Sequence, residues 1–198
     1  MLIVGITGSL GTGKSTVSAM FKEHGAKIID ADAITRALIS PQGKCIKKVA
    51  KNFPDTILKP SQELNRSQLA KIAFSHPLKL KKLTDILYPE ALKQVKQQIS
   101  QHKDAKLICL DVPLLFEAGW DRLTDVNIVV MAQRRQQVLR AKTHLGLSQA
   151  DFNRRLKCQM PLKAKKALAD IIVDNSQDLT KTRVQVDAII NRLLKRKK

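Results

Sequence analysis

The residues with the clearest chemical promise are Gly8-Ser9-Leu10-Gly11-Thr12-Gly13-Lys14-Ser15, where a lysine and a hydroxyl follow spaced glycines. Glycine lets the backbone take positive φ and turn its N–H groups inward around an anion. Lys14 adds a point charge suited to β- and γ-phosphates, and the Ser15 hydroxyl suits Mg²⁺. The pattern is a complete Walker A loop, so Gly8, Gly11, Thr12, Gly13, Lys14, Ser15 and Thr16 are the candidate phosphate-binding residues. Carboxylates come next. Asp30 and Asp32 stand at i and i+2 just past the apolar Ile28-Ile29, where both can face one phosphate site. One suits Mg²⁺ through water, and the other can take a proton from an attacking hydroxyl. The same spacing before a helix also suits N-capping. Asp111 closes another apolar run as a Walker B aspartate does, Pro113 breaks that run, and Glu117 follows at a distance that lets it face an acceptor.

These side chains need elements to hold them. The runs Leu2–Ile6, Ala26–Ile29, Lys106–Asp111, Val126–Met131 and Ile171–Val173 are short and rich in Val and Ile, and read as strands. Helical patterns separate them, which implies an α/β fold with a mostly parallel sheet covered on both faces. Val17, Met20 and Phe21 give the first helix its inner face, and Gly25 closes it. Asn65 reads as an N-cap for a helix carrying Leu69, Ile72 and Ala73. Pro77 and Pro89 fit the first turns of two further helices, one with Leu80, Leu83 and Leu87 and one with Leu92, Val95 and Ile99. A second helical stretch runs from Arg134 to about Lys166, with Ser148 and Asp151 as a capping pair. It is dense in Arg and Lys, as suits a lid over phosphates and equally a solvated basic face.

Composition narrows the function classes. A chain of 198 residues with 43% hydrophobic content suits one α/β domain with insertions. No apolar run approaches membrane-spanning length, and the chain starts directly on a strand, so neither a membrane helix nor a signal peptide is expected. Cys45, Cys109 and Cys158 are widely spaced, the usage of reduced thiols in a cytoplasm, with Cys109 a small core residue. The charge is unusual: 36 basic against 17 acidic residues leave +19. Nucleic acid is one partner class for such a surface. Seven aromatic residues, five Phe, one Tyr and one Trp, are too few for a base-stacking platform. A polyanionic small substrate is the better use of that charge, and nucleic acid is not the expected partner. A P-loop switch protein would need a guanine-reading Asn-Lys-x-Asp, which the chain lacks.

Taken together, the motifs resemble the dephospho-CoA kinase family across nearly the whole chain. The likeness is carried by the P-loop, Ile29-Asp30-Ala31-Asp32, Leu69-x-x-Ile72-x-Phe74 and Val112-Pro113-Leu114-Leu115-Phe116-Glu117. It continues through Gln137-x-x-Arg140, Arg155-x-x-x-Gln159 and Ala169-Asp170-x-x-Val173-x-Asn175. The resemblance implies a P-loop nucleotide kinase fold: a core (about 1–60, 106–133 and 167–198), a helical CoA-binding insertion (about 61–105) and a helical lid (about 134–166). It implies ATP-dependent phosphorylation of the 3′-hydroxyl of dephospho-CoA, the last step of coenzyme A synthesis. By that analogy Asp32 is the general base, Lys14 and Arg140 serve the phosphates, and Ser15 and Asp30 serve the Mg²⁺ shell. Asn175 lies near the adenine, and Tyr88, Leu115 and Glu117 join Asp32 on the acceptor side. Two positions depart from the family. Tyr88-Pro89 stands where His-Pro is usual, and His144 stands where a second lid arginine is usual. An ionisable imidazole there replaces a permanently charged guanidinium.

Overall fold

The computed structural model describes residues 1–57 and 63–195. Its framework is five parallel strands: β1 (Leu2–Gly8), β2 (Lys27–Asp30), β3 (Leu107–Asp111), β4 (Val126–Met131) and β5 (Ile171–Asp174). They lie in the order β2-β3-β1-β4-β5, and every neighbouring pair is parallel. All five stretches anticipated as strands are strands. The continuous apolar runs are explained by burial on both faces, since β3 is buried at every position and β1 from Val4 to Gly8.

Nine α-helices surround the sheet among the described residues. They are α1 (Lys14–Glu23), α2 (Ala31–Leu38), α3 (Ile46–Asn52), α4 (Arg66–Ala73), α5 (Pro77–Gln101), α6 (Arg134–Leu145), α7 (Gln149–Lys157), α8 (Leu162–Ala167) and α9 (Leu179–Lys195). On one face Val17, Met20 and Phe21 of α1 meet Val186, Ile190 and Leu193 of α9 over β1 and β4. On the other, Ile34 and Leu38 of α2, Val49 of α3 and Leu87, Ala91 and Val95 of α5 bury Ile108 and Leu110 of β3. Each face therefore buries an independent apolar cluster, which fixes the sheet as the rigid layer from which the loops project.

Two features of the helical reading change. Pro89 does not open a helix; it lies inside a continuous 25-residue α5 that begins at Pro77. Proline removes one i→i−4 hydrogen bond. Here apolar residues on both sides of it, Leu80 and Leu87 before and Ala91 and Val95 after, are buried on one helical stripe. Burial of that stripe outweighs the lost bond. The stretch from Arg134 to Lys166 is three helices, because Gly146 (φ 61) ends α6 and Pro161 precedes α8. Ser148 caps α7 instead, accepting from the Asp151 amide at 3.1 Å and donating to its carboxylate at 2.6 Å. Asn65 caps α4 as expected, accepting from the Gln68 amide at 3.0 Å. Cys109 is fully buried in the core. The anticipated boundary between core and insertion, near residue 60, and the last three residues of the basic tail lie outside the described residues.

Candidate active site

The Walker A loop joins β1 to α1 at the carboxyl end of the central strand, the end where parallel sheets receive ligands. Gly13 is the N-cap of α1 in the left-handed conformation (φ 83) and supplies no capping side chain. The backbone N–H groups of Gly11, Gly13, Lys14 and Ser15 donate to no protein acceptor among the described residues. Four free amides at a helix N-terminus form an anion site by themselves. Glycine is obligatory at Gly13 for a second reason. A β-carbon there would overlap the Asn175 amide, and one at Gly11 would overlap the backbone of Gln137 on α6.

The loop is held from behind by residues far along the chain. Thr12 is fully buried and donates its hydroxyl to the Ser9 carbonyl at 2.9 Å. Its own carbonyl accepts from Asn175 Nδ2 at 2.8 Å and from Arg140 Nη1 at 3.3 Å. Arg140 also donates to the Asn175 carbonyl at 3.0 Å, and Asn175 Oδ1 accepts from Thr182 at 2.9 Å. Asn175, anticipated beside the adenine, is therefore 1% exposed with its side chain spent on the loop. Arg140 braces the same loop through its guanidinium. His144, one turn further along α6, is exposed in the last turn.

Charge is concentrated in front of the loop. The Lys14 ammonium pairs with Asp111, whose second oxygen accepts from the Ser18 hydroxyl at 2.7 Å. Asp111 thus fixes the P-loop lysine, a pairing that its reading as a Walker B aspartate did not anticipate. Burial pushes the Lys14 pKa down, Asp32 and then Asp30 oppose this, and Lys165 and Arg36 reinforce it. Asp30 and Asp32 share the turn from β2 into α2 but are used differently. Asp30 is the N-cap, accepting from the Ala33 amide at 2.9 Å, with Arg36 3.6 Å away. Asp32 lies in the first turn with its carboxylate toward Lys14. Solvent reaches its side chain, yet the surrounding protein removes enough hydration to raise its carboxyl pKa. Lys14 lowers that value, and Asp30 raises it further.

The acceptor-side residues divide. Tyr88 is half-buried and stacks obliquely on Trp120, with ring centroids 5.2 Å apart. Burial raises its phenol pKa, and the charges of Asp32 and Glu117 raise it further. Tyr88 therefore stays a neutral hydrogen-bond donor facing two carboxylates. Leu115 is 0% exposed and packs in the core against Gly5 of β1, so it offers no surface to an acceptor. Glu117 Oε1 accepts from the Met160 amide at 2.8 Å and lies 3.0 Å from the Lys165 ammonium. Lys165 was not singled out by the sequence, because it sits in a lysine-rich run with Lys163 and Lys166. Its burial alone distinguishes it.

A Walker A loop closing the central strand of a 2-3-1-4-5 parallel sheet, with a strand-end carboxylate beside its lysine, defines a P-loop kinase. The family model for dephospho-CoA kinase matches residues 2–181, and the chain belongs to that family. A dephospho-CoA kinase from Symbiobacterium thermophilum is 38% identical over 190 residues, covering 95% of this chain and 80% of the relative. One from Carboxydothermus hydrogenoformans is 38% identical over 192 residues, covering 96% and 93%. Among solved structures, TT1252 from Thermus thermophilus matches with a TM-score of 0.80 and 31% identity over 97% of both chains. No described helix is long and apolar enough to cross a membrane.

Proposed function

We propose that the cleft transfers the γ-phosphoryl group of ATP to the 3′-hydroxyl of dephospho-CoA, with Asp32 as general base. The observation that carries this reading is the set of four free P-loop amides and Lys14 beside a carboxylate of raised pKa. Phosphoryl transfer needs positioning and charge neutralisation rather than a covalent nucleophile. The amides and Lys14 hold the phosphates, and Asp32 accepts the proton that the attacking hydroxyl gives up. In this reading α4 and α5 belong to the acceptor-binding insertion and α6 to α8 to the lid. Tyr88 donates to the acceptor, and Asn175 and Arg140 serve ATP by keeping the loop in shape.

The donor set fits Mg²⁺. The Ser15 residue is exposed and its hydroxyl makes no hydrogen bond among the described residues, and the charges of Asp30 and Asp32 act on the adjoining Lys14. No group of three His, Cys, Asp or Glu among the described residues suffices for a metal ion. Nucleotide phosphates and water would therefore complete the coordination of an ion held by Ser15 and Asp30. Bound there, Mg²⁺ supplies charge neutralisation at the phosphates.

The test is ADP release with a panel of acceptors: dephospho-CoA, adenosine, AMP, shikimate and pantothenate. Dephospho-CoA is expected to be the preferred acceptor, and a chelator is expected to abolish turnover until Mg²⁺ is restored. Preference for AMP or a nucleoside would overturn the substrate assignment.

The pH profile of kcat/KM follows from the two shifted groups of the free enzyme. Asp32 acts as its carboxylate, and its pKa is raised. Activity is therefore lost on acidification at higher pH than an ordinary aspartate would give. Lys14 acts as its ammonium, and its pKa is lowered. Activity is lost on the alkaline side below the usual lysine range. ATP itself titrates on the acid side, so the assignment of that limb rests on its change in Asp32→Asn.

A further inference from the structure

We propose that Lys165 is a positioning residue for the acceptor side of the reaction, acting through Glu117 and the loop from Pro113 to Glu117. The proposal rests on the dephospho-CoA reading above and gives a role to a residue which that reading leaves idle.

A lysine side chain is almost never fully buried unless it is paired. The Lys165 side chain is 0% exposed. Its ammonium donates to the Pro113 carbonyl at 2.6 Å and lies 3.0 Å from Glu117 Oε1. Both acceptors are shared. The Pro113 carbonyl also accepts from the Thr7 hydroxyl of β1 at 3.1 Å, and Glu117 Oε1 also accepts from the Met160 amide. One buried cation thus ties α8 and the turn before it to both ends of the loop after β3, and through the Pro113 carbonyl it shares with the Thr7 hydroxyl to the strand that feeds the P-loop.

The consequence for chemistry lies at Glu117. Its Oε1 has two donors, while its side chain remains 21% exposed. An ionised carboxylate with one oxygen fixed presents the other as an acceptor only, the right partner for a hydroxyl or amino donor on the incoming molecule. Asp32 follows β2 and Glu117 follows β3, adjacent parallel strands, so both stand past the carboxyl end of the sheet, Glu117 on the same side as the proposed base. Without Lys165 the Met160 amide alone holds Oε1 among the described residues, so the carboxylate is less firmly placed and adds uncompensated negative charge next to a polyphosphate substrate. The ATP side has its own brace, Asn175 and Arg140 on the Thr12 carbonyl, which shares no residue with this one. Lys165 acts on the P-loop lysine only as a nearby like charge, so its loss falls mainly on the acceptor, whereas a purely structural pin would harm both substrates.

The experiment is steady-state kinetics with each substrate varied, on the wild type, Lys165→Met, Lys165→Arg, Glu117→Gln and the Lys165→Met/Glu117→Gln double variant, with melting curves for each. Lys165→Met is expected to raise KM for dephospho-CoA about 10- to 100-fold, the usual worth of one hydrogen bond to a charged group. KM for ATP should stay within about twofold, as for independent sites. Lys165→Arg should restore most of the loss, and the double variant should be no worse than Lys165→Met. If Lys165→Met does not fold, Lys165→Gln and Glu117→Gln carry the same comparison. Equal rises in both KM values, a loss confined to kcat, or additive losses in the double variant overturn the proposal. A wild type that does not phosphorylate dephospho-CoA refutes the functional reading instead, so the two failures are distinct.

Discussion

Asp32→Asn lowers kcat by about 10²–10⁴, the usual worth of a positioned general base, and leaves KM for ATP nearly unchanged. The amide is close in size to the carboxylate and keeps an oxygen toward Lys14, but it cannot accept the proton. Asp30 is the informative control. Its carboxylate already caps α2 through the Ala33 amide and faces Arg36. Asp30→Asn should therefore act through the Mg²⁺ concentration needed for half-maximal rate, with a smaller effect on kcat. Asparagine caps helices about as well as aspartate, so stability should change little. Steady-state kinetics across a Mg²⁺ series separates the two residues. A larger kcat loss in Asp30→Asn would exchange their roles.

Lys14→Ala is expected to lose at least about 10²–10³ in kcat, because a preorganised donor to developing transition-state charge disappears. The geometry adds a second effect. Asp111 is buried, and among the described residues its side chain is held by Lys14 and Ser18 alone. Removing the lysine leaves a buried carboxylate with one hydroxyl donor, at a cost of about 3 kcal/mol. The melting temperature should fall together with the activity. Asp111→Asn in the Lys14→Ala background removes the orphaned charge, so it should recover stability without recovering turnover. Recovery of both would mean that Lys14 matters only as Asp111's counter-ion.

What the sequence made legible was local. The P-loop, the five strands and the caps at Asn65 and Ser148 are written within a few residues of where they act, in glycine spacing, apolar runs and short polar side chains. The Walker B character of Asp111 was readable because a carboxylate ends an apolar strand. The illegible parts depend on distant partners. Pro89 is a helix breaker by its own chemistry and is overruled by a buried stripe that only the folded sheet supplies. Asn175 resembles a ligand contact in the motif and is a P-loop brace in space, because its partner Thr12 is 163 residues away. Lys165 is one lysine among many until burial singles it out. The residues that hold the site together were thus harder to read than those that face it.

The strand order has a consequence for synthesis on the ribosome. β1 ends at Gly8, and it pairs only with β3 and β4, the nearer of which begins at Leu107. The edge strand β2 likewise waits for β3. At a translation speed of about 5–20 residues per second, this apolar segment of the nascent chain spends about 5–20 s without a strand neighbour. The finished P-loop waits longer, since Asn175 emerges near the end. Growing chains should therefore be captured by holdase chaperones through residues 2–8, and should stay protease-sensitive there until β3 and β4 have cleared the exit tunnel.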